Sequence, residues 1–189
     1  MSAALRLRLD GVSCVRGGRL LFEGLDLRLG PGAAAVVTGP NGAGKSSLLR
    51  LAAGLLSPAA GTLAADRAAL ADENLALDPR LTLDRALAFW ARLDRVSARP
   101  GIEAMGLVPL CEVPVRMLST GQRRRAALAR VVSSGAPLWL LDEPANGLDE
   151  EGQDRLQAAM TAHRGAGGAI LAASHQPLGL TAPAEVALG

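Results

Sequence analysis

The residues best suited to chemistry lie in one glycine-rich stretch, positions 39–47, which reads Gly-Pro-Asn-Gly-Ala-Gly-Lys-Ser-Ser. It matches the phosphate-binding pattern G-x-x-x-x-G-K-[ST], the P-loop, at every required position. Glycines let the backbone turn tightly enough to point successive N–H groups at phosphate oxygens, the lysine reaches the β- and γ-phosphates, and the first serine hydroxyl can hold Mg²⁺. The predicted nucleotide-binding residues are Gly39, Pro40, Asn41, Gly42, Ala43, Gly44, Lys45, Ser46 and Ser47, of which Ser46 is also a predicted metal ligand.

The lysine of this stretch has no counterpart elsewhere in the chain. The sequence contains 20 Lys and Arg residues in total, and 19 of them are Arg. Arginine is a planar fork, whereas lysine is a compact point charge. Because the single lysine falls inside the loop, at position 45, the prediction of phosphate binding is strengthened.

Two flanking elements must position this loop. Residues 33–38 form a short apolar run typical of a buried strand, and residues 46–53 place leucines at helical spacing. A helix that begins at the end of the loop directs its positive dipole end towards the phosphates. Strand, glycine loop and helix together are the setting in which the motif binds nucleotide.

A second pair of reactive side chains follows another apolar run. Residues 138–141 read Leu-Trp-Leu-Leu, and Asp142 and Glu143 come directly after them. This is a Walker B pattern, a strand with acids at its carboxyl end. It predicts that Asp142 binds Mg²⁺ and that Glu143 takes a proton from an attacking water.

Composition narrows the class of protein. With 189 residues, 49% hydrophobic and 20% charged, the chain is predicted to be one globular domain over residues 1–189. No apolar run reaches the roughly 18 residues of a membrane span, and residues 1–10 alternate Leu with Arg like a strand rather than a signal peptide, so we expect a cytosolic protein. A net charge of +2, 2% aromatic residues and no Tyr argue against direct nucleic-acid binding, because bases stack on aromatic side chains.

The rest of the chain alternates short apolar runs with helical patterns. Strands are predicted at 4–10, 20–29 and 169–173, and helices at 83–93, at 150–163 and from the N-cap Ser119 to about 132. Such alternation indicates an α/β fold with a parallel sheet. The proline-interrupted middle of the chain, approximately residues 63–130, is predicted to be a small helical subdomain inserted in the α/β core.

Residues 118–122 read Leu-Ser-Thr-Gly-Gln and resemble the signature LSGGQ of the ABC ATPases, with Thr120 in place of the first glycine. Residues 145–149, Ala-Asn-Gly-Leu-Asp, resemble the D-loop of that family, and His175 resembles its switch histidine. The resemblance covers nearly the whole chain. It implies a P-loop NTPase of the ABC type, with a parallel sheet, an antiparallel β portion and the inserted helical subdomain.

The resemblance also implies a mechanism in which two copies pair head to tail as a homodimer. Each ATP, with Mg²⁺, is then held by the P-loop of one copy and the signature of the other. The general base is Glu143, and His175 contacts the γ-phosphate. The further residues expected to contact the nucleotide are Ser119, Gly121, Gln122 and Asp149.

Two positions depart from the family pattern. Where the family has an aromatic residue that stacks on adenine, this chain has Cys-Val-Arg at residues 14–16, so Arg16 is the predicted base contact and the preference for ATP over GTP is open. Where the family has a glutamine at the start of the helical subdomain, this chain has Asp-Glu-Asn at residues 72–74. We predict that Asn74 replaces that glutamine near the metal, with Glu73 as the alternative.

Three segments, residues 114–125, 138–144 and 174–178, resemble the branch of the family that serves cytochrome c maturation as a haem exporter ATPase. That branch works with integral membrane subunits of the CcmB and CcmC type, and it is bound peripherally at the cytoplasmic face of the bacterial inner membrane. The alternatives are the ATPase of another ABC exporter for lipids or lipoproteins, a soluble ABC ATPase of DNA repair or translation, and a nucleotide-binding regulator that no longer hydrolyses ATP.

Overall fold

A computed structural model describes residues 5–189, so residue 4, where the first strand was predicted to begin, lies outside the described part of the chain. The strands are β1 Leu7–Arg16, β2 Arg19–Leu29, β3 Ala34–Thr38, β4 Ala60–Ala65, β5 Ala68–Ala71, β6 Leu138–Asp142, β7 Ala169–Ala173 and β8 Ala184–Ala187. The helices are α1 Lys45–Ala52, α2 Leu83–Asp94, α3 Arg99–Ala104, α4 Thr120–Ser133 and α5 Glu150–Gly165, with one-turn 3-10 helices at Val108–Leu110 and Val115–Met117.

The chain divides into two compact units. The first comprises Met1–Leu70, Ala136–Glu143 and Thr161–Gly189. It holds a three-stranded antiparallel sheet in the order β2-β1-β4 and a five-stranded sheet in the order β5-β6-β7-β3-β8. In the second sheet the neighbours β6 and β7, β7 and β3, and β3 and β8 run parallel. The predicted parallel sheet and antiparallel β portion are both present.

Burial on both faces explains why the central strands read as continuous apolar runs. Every residue of β7 is buried, as are the first four residues of β6, and side chains from both strands join the same core as Leu48 and Leu49 of α1. In the register of the sheet, Ala173 lies beside both Val37 of β3 and Asp142 of β6. The carboxyl ends of β3, β6 and β7 therefore meet at one edge, where ligands bind in open parallel sheets.

The second unit comprises Ala71–Gly135 and Pro144–Met160, and contains α2, α3, α4 and most of α5. Helix α3 packs closely on α4, because a Cβ at Gly101 would lie 2.0 Å from the carbonyl oxygen of Ala129. The predicted subdomain at approximately 63–130 stays a prediction. Residues 63–65 form the end of β4, which pairs with β1, and residues 68–71 form β5.

Candidate functional site

The loop between β3 and α1 has a backbone that its glycines make possible. Gly39, Gly42 and Gly44 have φ angles of 139°, 83° and 106°, a region that L side chains rarely adopt. A Cβ at Gly39 would lie 2.1 Å from the carbonyl oxygen of Leu188, and a Cβ at Gly44 would lie 3.0 Å from the ring of Phe22. The loop is therefore closely packed from behind by backbone and side chains of the same unit.

Lys45, at the first position of α1, is folded back onto this loop. Its Nζ donates hydrogen bonds to the carbonyl oxygens of Gly39 at 2.7 Å and Pro40 at 3.2 Å, and the residue is only 8% exposed. An ammonium has three N–H donors, so two of them serve the loop and the third is left to meet an anion. Helix α1 starts at Gly44 without a side-chain cap, and N–H groups of its first turn have no intrahelical acceptor.

A cavity of about 320 Å³ opens in front of the loop. It is lined by Leu21, Asn41, Gly42, Gly44, Lys45, Ser46, Ser47, Asp142 and Glu143. Backbone N–H groups, one ammonium, hydroxyls and two carboxylates thus share one space, which fits a triphosphate with a hard cation. Mg²⁺ is typically held by one or two protein oxygens plus substrate phosphates, and Ser46 and Asp142, the predicted metal ligands, bring such oxygens to this cavity.

Glu143 and His175 meet at the shared end of β6 and β7. Glu143 directly follows β6 and has a φ of 45°, and its N–H donates to the carbonyl oxygen of Ala173 at 2.8 Å. The Nε2 atom of His175 lies 3.5 Å from Oε1 of Glu143, and the backbone N–H of His175 donates to Oε2 at 3.4 Å. The histidine is half exposed, at 51%, whereas the carboxylate is 23% exposed. The two predicted catalytic side chains therefore orient each other.

Ser174 and Leu21 are site residues that sequence reasoning missed. Ser174 is 3% exposed, and its hydroxyl donates to the carbonyl oxygen of Gln176 at 2.8 Å and accepts from the N–H of Gln176 at 3.1 Å, which holds the turn that carries His175. A polar residue at the end of an all-apolar strand was the available signal. Leu21 of β2 lines the cavity through tertiary packing, and no local pattern marks it.

The predicted signature residues lie in the second unit, at the start of α4. Ser119 is the N-cap, and its hydroxyl accepts a hydrogen bond from the N–H of Gln122 at 3.2 Å. The side-chain oxygen of Gln122 accepts from the N–H of Ser119 at 2.9 Å, which completes a capping box. The Ser119 hydroxyl keeps its own proton for a further acceptor.

Gly121 and Asp149 have structural partners in the same unit. A Cβ at Gly121 would lie 2.8 Å from the carbonyl oxygen of Gly147, so the start of α4 touches the segment that resembles a D-loop. The Oδ1 atom of Asp149 accepts from the N–H of Gly152 at 2.9 Å and caps α5. A contact of either residue with nucleotide stays a prediction.

The two residues at the departures from the family pattern are both exposed. Arg16 ends β1 beside the Gly17-Gly18 turn, with Arg19 as its cross-strand partner. Asn74 is bound to Asp72, since its N–H donates to Oδ1 at 2.9 Å and its side-chain amide donates to Oδ2 at 3.3 Å. The role of Arg16 as a base contact and that of Asn74 as a metal ligand both remain predictions.

Comparison with known proteins decides the family. The family model described as ABC transporter matches residues 22–146. The chain belongs to the ABC transporter family. A relative from Sphingopyxis alaskensis is 57% identical over 187 residues, covering 97% of this chain and 96% of the relative, and one from Novosphingobium aromaticivorans is 57% identical over 170 residues, covering 89% and 88%. Both are named cytochrome c biogenesis ATP-binding export protein CcmA.

Solved structures agree on the fold. A putative ABC transporter ATP-binding protein from Pyrococcus furiosus superposes with a TM-score of 0.83 at 20% identity, over 96% of each chain. An ATP-binding subunit of an ABC transporter superposes with a TM-score of 0.80 at 22% identity, over 89% of this chain and 79% of the other. The predicted ABC-type α/β fold is confirmed, and this ABC chain is an ATPase. Across residues 5–189, none of the helices is both long and apolar enough to cross a membrane.

Proposed function

We propose that this chain is the ATP-hydrolysing subunit of a membrane ABC transporter that serves cytochrome c biogenesis, where it powers haem export or the release of a haem chaperone. The observation that carries the ATPase part is the single cavity that contains Lys45, Ser46, Asp142 and Glu143, with His175 against the carboxylate of Glu143. The biological part rests on relatives that cover nearly the whole chain and are named for cytochrome c biogenesis.

Nucleotide binding follows from the loop. The backbone N–H groups of residues 42–47 and the dipole of α1 attract the phosphates, and Lys45 adds the one ammonium. Mg²⁺, when bound, neutralises charge on the phosphate oxygens, and Ser46 and Asp142 are its protein ligands, with Asn74 as a further candidate. Because the site is assembled by a closely packed loop, its donors need little rearrangement when ATP enters.

Hydrolysis requires that a water be aligned and deprotonated. Glu143 is the general base, and its carboxylate is oriented by both the ring and the backbone N–H of His175. His175 donates to the γ-phosphate once it turns from Glu143. Phosphoryl transfer depends mainly on positioning and charge stabilisation, so small displacements of either side chain should slow it strongly.

A second copy of the chain supplies the remaining contacts. Ser119, Gly121 and Gln122 present the positive end of α4 to the γ-phosphate of the partner copy, and Asp149 joins them from the segment that touches Gly121. The homodimer binds integral membrane subunits of the CcmB and CcmC type, and through them lies peripherally at the cytoplasmic face of the bacterial inner membrane. Arg16 contacts the nucleotide base in place of the aromatic residue of the family.

Two variants test the ATPase. Lys45→Ala should abolish equilibrium binding of a fluorescent ATP analogue, because the loop loses its only ammonium. Glu143→Gln should bind ATP as the wild type does while turnover falls by at least about a hundredfold, a magnitude typical of losing general-base catalysis. The matched control is Glu23→Gln, an exposed carboxylate on β2, which should leave both properties unchanged. Unchanged ATP binding by Lys45→Ala would show that the P-loop assignment is wrong.

A functional replacement experiment tests the biological role. The chain should restore haem-stained c-type cytochromes in a bacterium that lacks its own CcmA, and Glu143→Gln should fail to do so at equal protein level. A tagged chain purified in detergent from its own host should carry CcmB- or CcmC-type membrane subunits. Recovery of membrane subunits of a lipid or lipoprotein exporter instead would favour the alternative exporter.

A further inference from the structure

The loop between β5 and α2, residues 72–82, is held by side chains that the mechanism above does not use. The indole Nε1 of Trp90, on α2, donates a hydrogen bond to the carbonyl oxygen of Ala76 at 2.6 Å. From α4, Nη1 of Arg124 donates to the carbonyl oxygen of Asp72 at 2.9 Å. Both ends of the segment that contains Asn74 are therefore fixed to helices of the same unit.

Trp90 is also joined to α4. The guanidinium of Arg130 lies 4.9 Å from the centre of the Trp90 ring, within the range of a cation–π contact. Arg130 is largely withdrawn from water, and this burial lowers the pKa of its guanidinium. A desolvated cation gains more from an aromatic face than an exposed one. Trp90 thus links the loop on one side to the signature helix on the other.

The loop has a conformation that needs such a link. Ala76 has a φ of 52°, and a non-glycine residue in this region persists only where its surroundings hold it. Two residues before it, Asn74 is bound to Asp72 by two hydrogen bonds. The position of the Asn74 side chain therefore depends on Asp72 and Ala76, the two residues whose carbonyl groups are held.

The far end of the loop is joined to the segment that precedes Ser119. The N–H of Val115 donates to the carbonyl oxygen of Leu81 at 2.9 Å, and the N–H of Arg116 donates to that of Pro79 at 3.1 Å. A short antiparallel bridge forms between Thr82 and Pro114. Backbone hydrogen bonds thus join the loop to the segment that leads into α4, and the side chain of Arg124 joins it to α4 itself.

We propose that Trp90 is a positioning residue for ATP hydrolysis, which holds the strained Ala76 loop against α4 so that Asn74 and the signature Ser119 keep a fixed relation. The inference rests on the proposed function, which assigns Asn74 to the metal of its own copy and Ser119 to the γ-phosphate held by the partner copy. Trp90 itself contacts neither. Its effect is on the chemical step, because ATP affinity comes chiefly from the P-loop.

The variant Trp90→Phe separates the two interactions of the indole. It keeps an aromatic face for Arg130 and removes the N–H that holds Ala76. In the full chain, hydrogen–deuterium exchange of a peptide covering residues 72–78 should become faster, while exchange in β6 and β7 should not change. Loss of one hydrogen bond of ordinary strength predicts a roughly three- to tenfold fall in kcat with a KM for ATP within about twofold of the wild type.

Two further variants complete the test. Arg124→Leu, which releases Asp72, should give the same faster loop exchange and the same kcat loss. Leu93→Ala alters an exposed residue of α2 that is 62% accessible and should behave as the wild type. Unchanged loop exchange in Trp90→Phe, or a KM increase without a kcat loss, overturns the inference. The exchange result does not depend on turnover, so a wild-type chain that fails to bind ATP overturns the proposed function separately.

Discussion

At the scale of single residues, the residue that follows β6 carries backbone strain. Glu143 has a φ of 45°, and such a conformation in a non-glycine residue costs about 1–3 kcal/mol. The hydrogen bond from its N–H to Ala173 and the two contacts of its carboxylate with His175 hold it there. In this conformation Glu143 lines the cavity in front of the loop at residues 39–47.

Base recognition is predicted to be weak, because no aromatic ring lies where the family has one. Across the hairpin Arg16 pairs with Arg19, and the next pair in the register is Val15 with Leu20, both exposed aliphatic residues. Base stacking on an aromatic ring contributes about 1–3 kcal/mol, and a loss of 1.4 kcal/mol corresponds to a factor of ten in affinity. We therefore expect ATP and GTP to bind with similar affinities in competition measurements.

Arg16→Ala should weaken the binding of both nucleotides, and its matched control is the cross-strand partner, Arg19→Ala, which should not. A strong ATP preference that survives Arg16→Ala would show that another residue recognises adenine.

His163 gives the stability of the fold a pH dependence. Its ring stacks on Trp139 with centroids 3.9 Å apart, and its Nε2 lies 3.3 Å from the carbonyl oxygen of Ala169. Burial, assisted by the charge of Arg6, lowers the pKa of His163 below its ordinary value of 6.5, although backbone hydrogen bonds act in the opposite direction. The fold thus favours the neutral ring, and the unfolded chain binds more protons between the two pKa values.

Stability is therefore fully present above about pH 6.5, is lost as the pH falls below that value, and stops falling once the pH is below the folded pKa. Urea unfolding at pH 7.5 and pH 5.5 measures this loss of unfolding free energy. The loss should be smaller in His163→Gln than in the wild type. The control is His175→Gln, which changes the only other histidine of the chain and should show the wild-type loss. If His163→Gln loses as much stability as the wild type between these two pH values, other titratable groups cause the pH dependence.

At the scale of elements, sequence patterns predicted the strands that are recognisable from their own residues and missed those that depend on pairing with a distant strand. Strands β3, β6 and β7 were predicted closely, because most of their residues are buried and form nearly continuous apolar runs. Strands β4 and β8 were missed, because four residues of Ala60–Ala65 are alanine or glycine and Ala184–Ala187 is mostly exposed. Their strand conformation comes from the pairing of β4 with β1 and of β8 with β3, and such pairing cannot be recognised from the residues of one strand alone.

The same limit applies to the site. The motif at residues 39–47 and the acids after β6 are contiguous in sequence, so both were found. The contact between Glu143 and His175 joins residues 32 positions apart, and the sequence alone predicted it only through the family resemblance. The short helix α3 was missed because Pro100 and Gly101 have low helix propensity, although proline is tolerated in the first turn, where Pro100 lies.

The contact between Gly121 and Gly147 predicts a steric effect of the signature glycine. In Gly121→Ala the new Cβ would lie 2.8 Å from the carbonyl oxygen of Gly147, so α4 or the segment 145–149 must shift. Overpacking of this kind typically costs about 1–3 kcal/mol of unfolding free energy, and ATP turnover should fall as well. Chemical denaturation and a steady-state ATPase assay measure the two effects.

Gly165→Ala is the matched control for this prediction, since nothing lies within 4 Å of a Cβ at that position. It should be neutral or slightly stabilising, because alanine is the better helix former. If both alanine variants are equally stable and active, the close approach of Gly121 and Gly147 is not required for stability or ATP turnover.

At the scale of the whole molecule, the predicted head-to-tail homodimer depends on ATP that is bound and not hydrolysed. With Mg-ATP, Glu143→Gln should therefore elute from size exclusion as a dimer, and light scattering over a series of protein concentrations measures its mass. The double variant Lys45→Ala with Glu143→Gln should stay monomeric, because it cannot bind the nucleotide that joins the copies. A monomer at every concentration with bound Mg-ATP would contradict the pairing.

Because the chain has a single lysine, chemical modification of its side-chain amines is coupled to nucleotide binding. Apart from the α-amino group, Lys45 is the only amine in the protein; it is 8% exposed and lines the cavity in front of the loop at residues 39–47. Acylation of any side-chain amine is therefore acylation of the P-loop, and it removes the charge that is predicted to bind phosphate. Amine-reactive dyes, cross-linkers and resins can therefore attach to a side chain only at Lys45, so side-chain labels that should leave nucleotide binding unchanged must use other residue types.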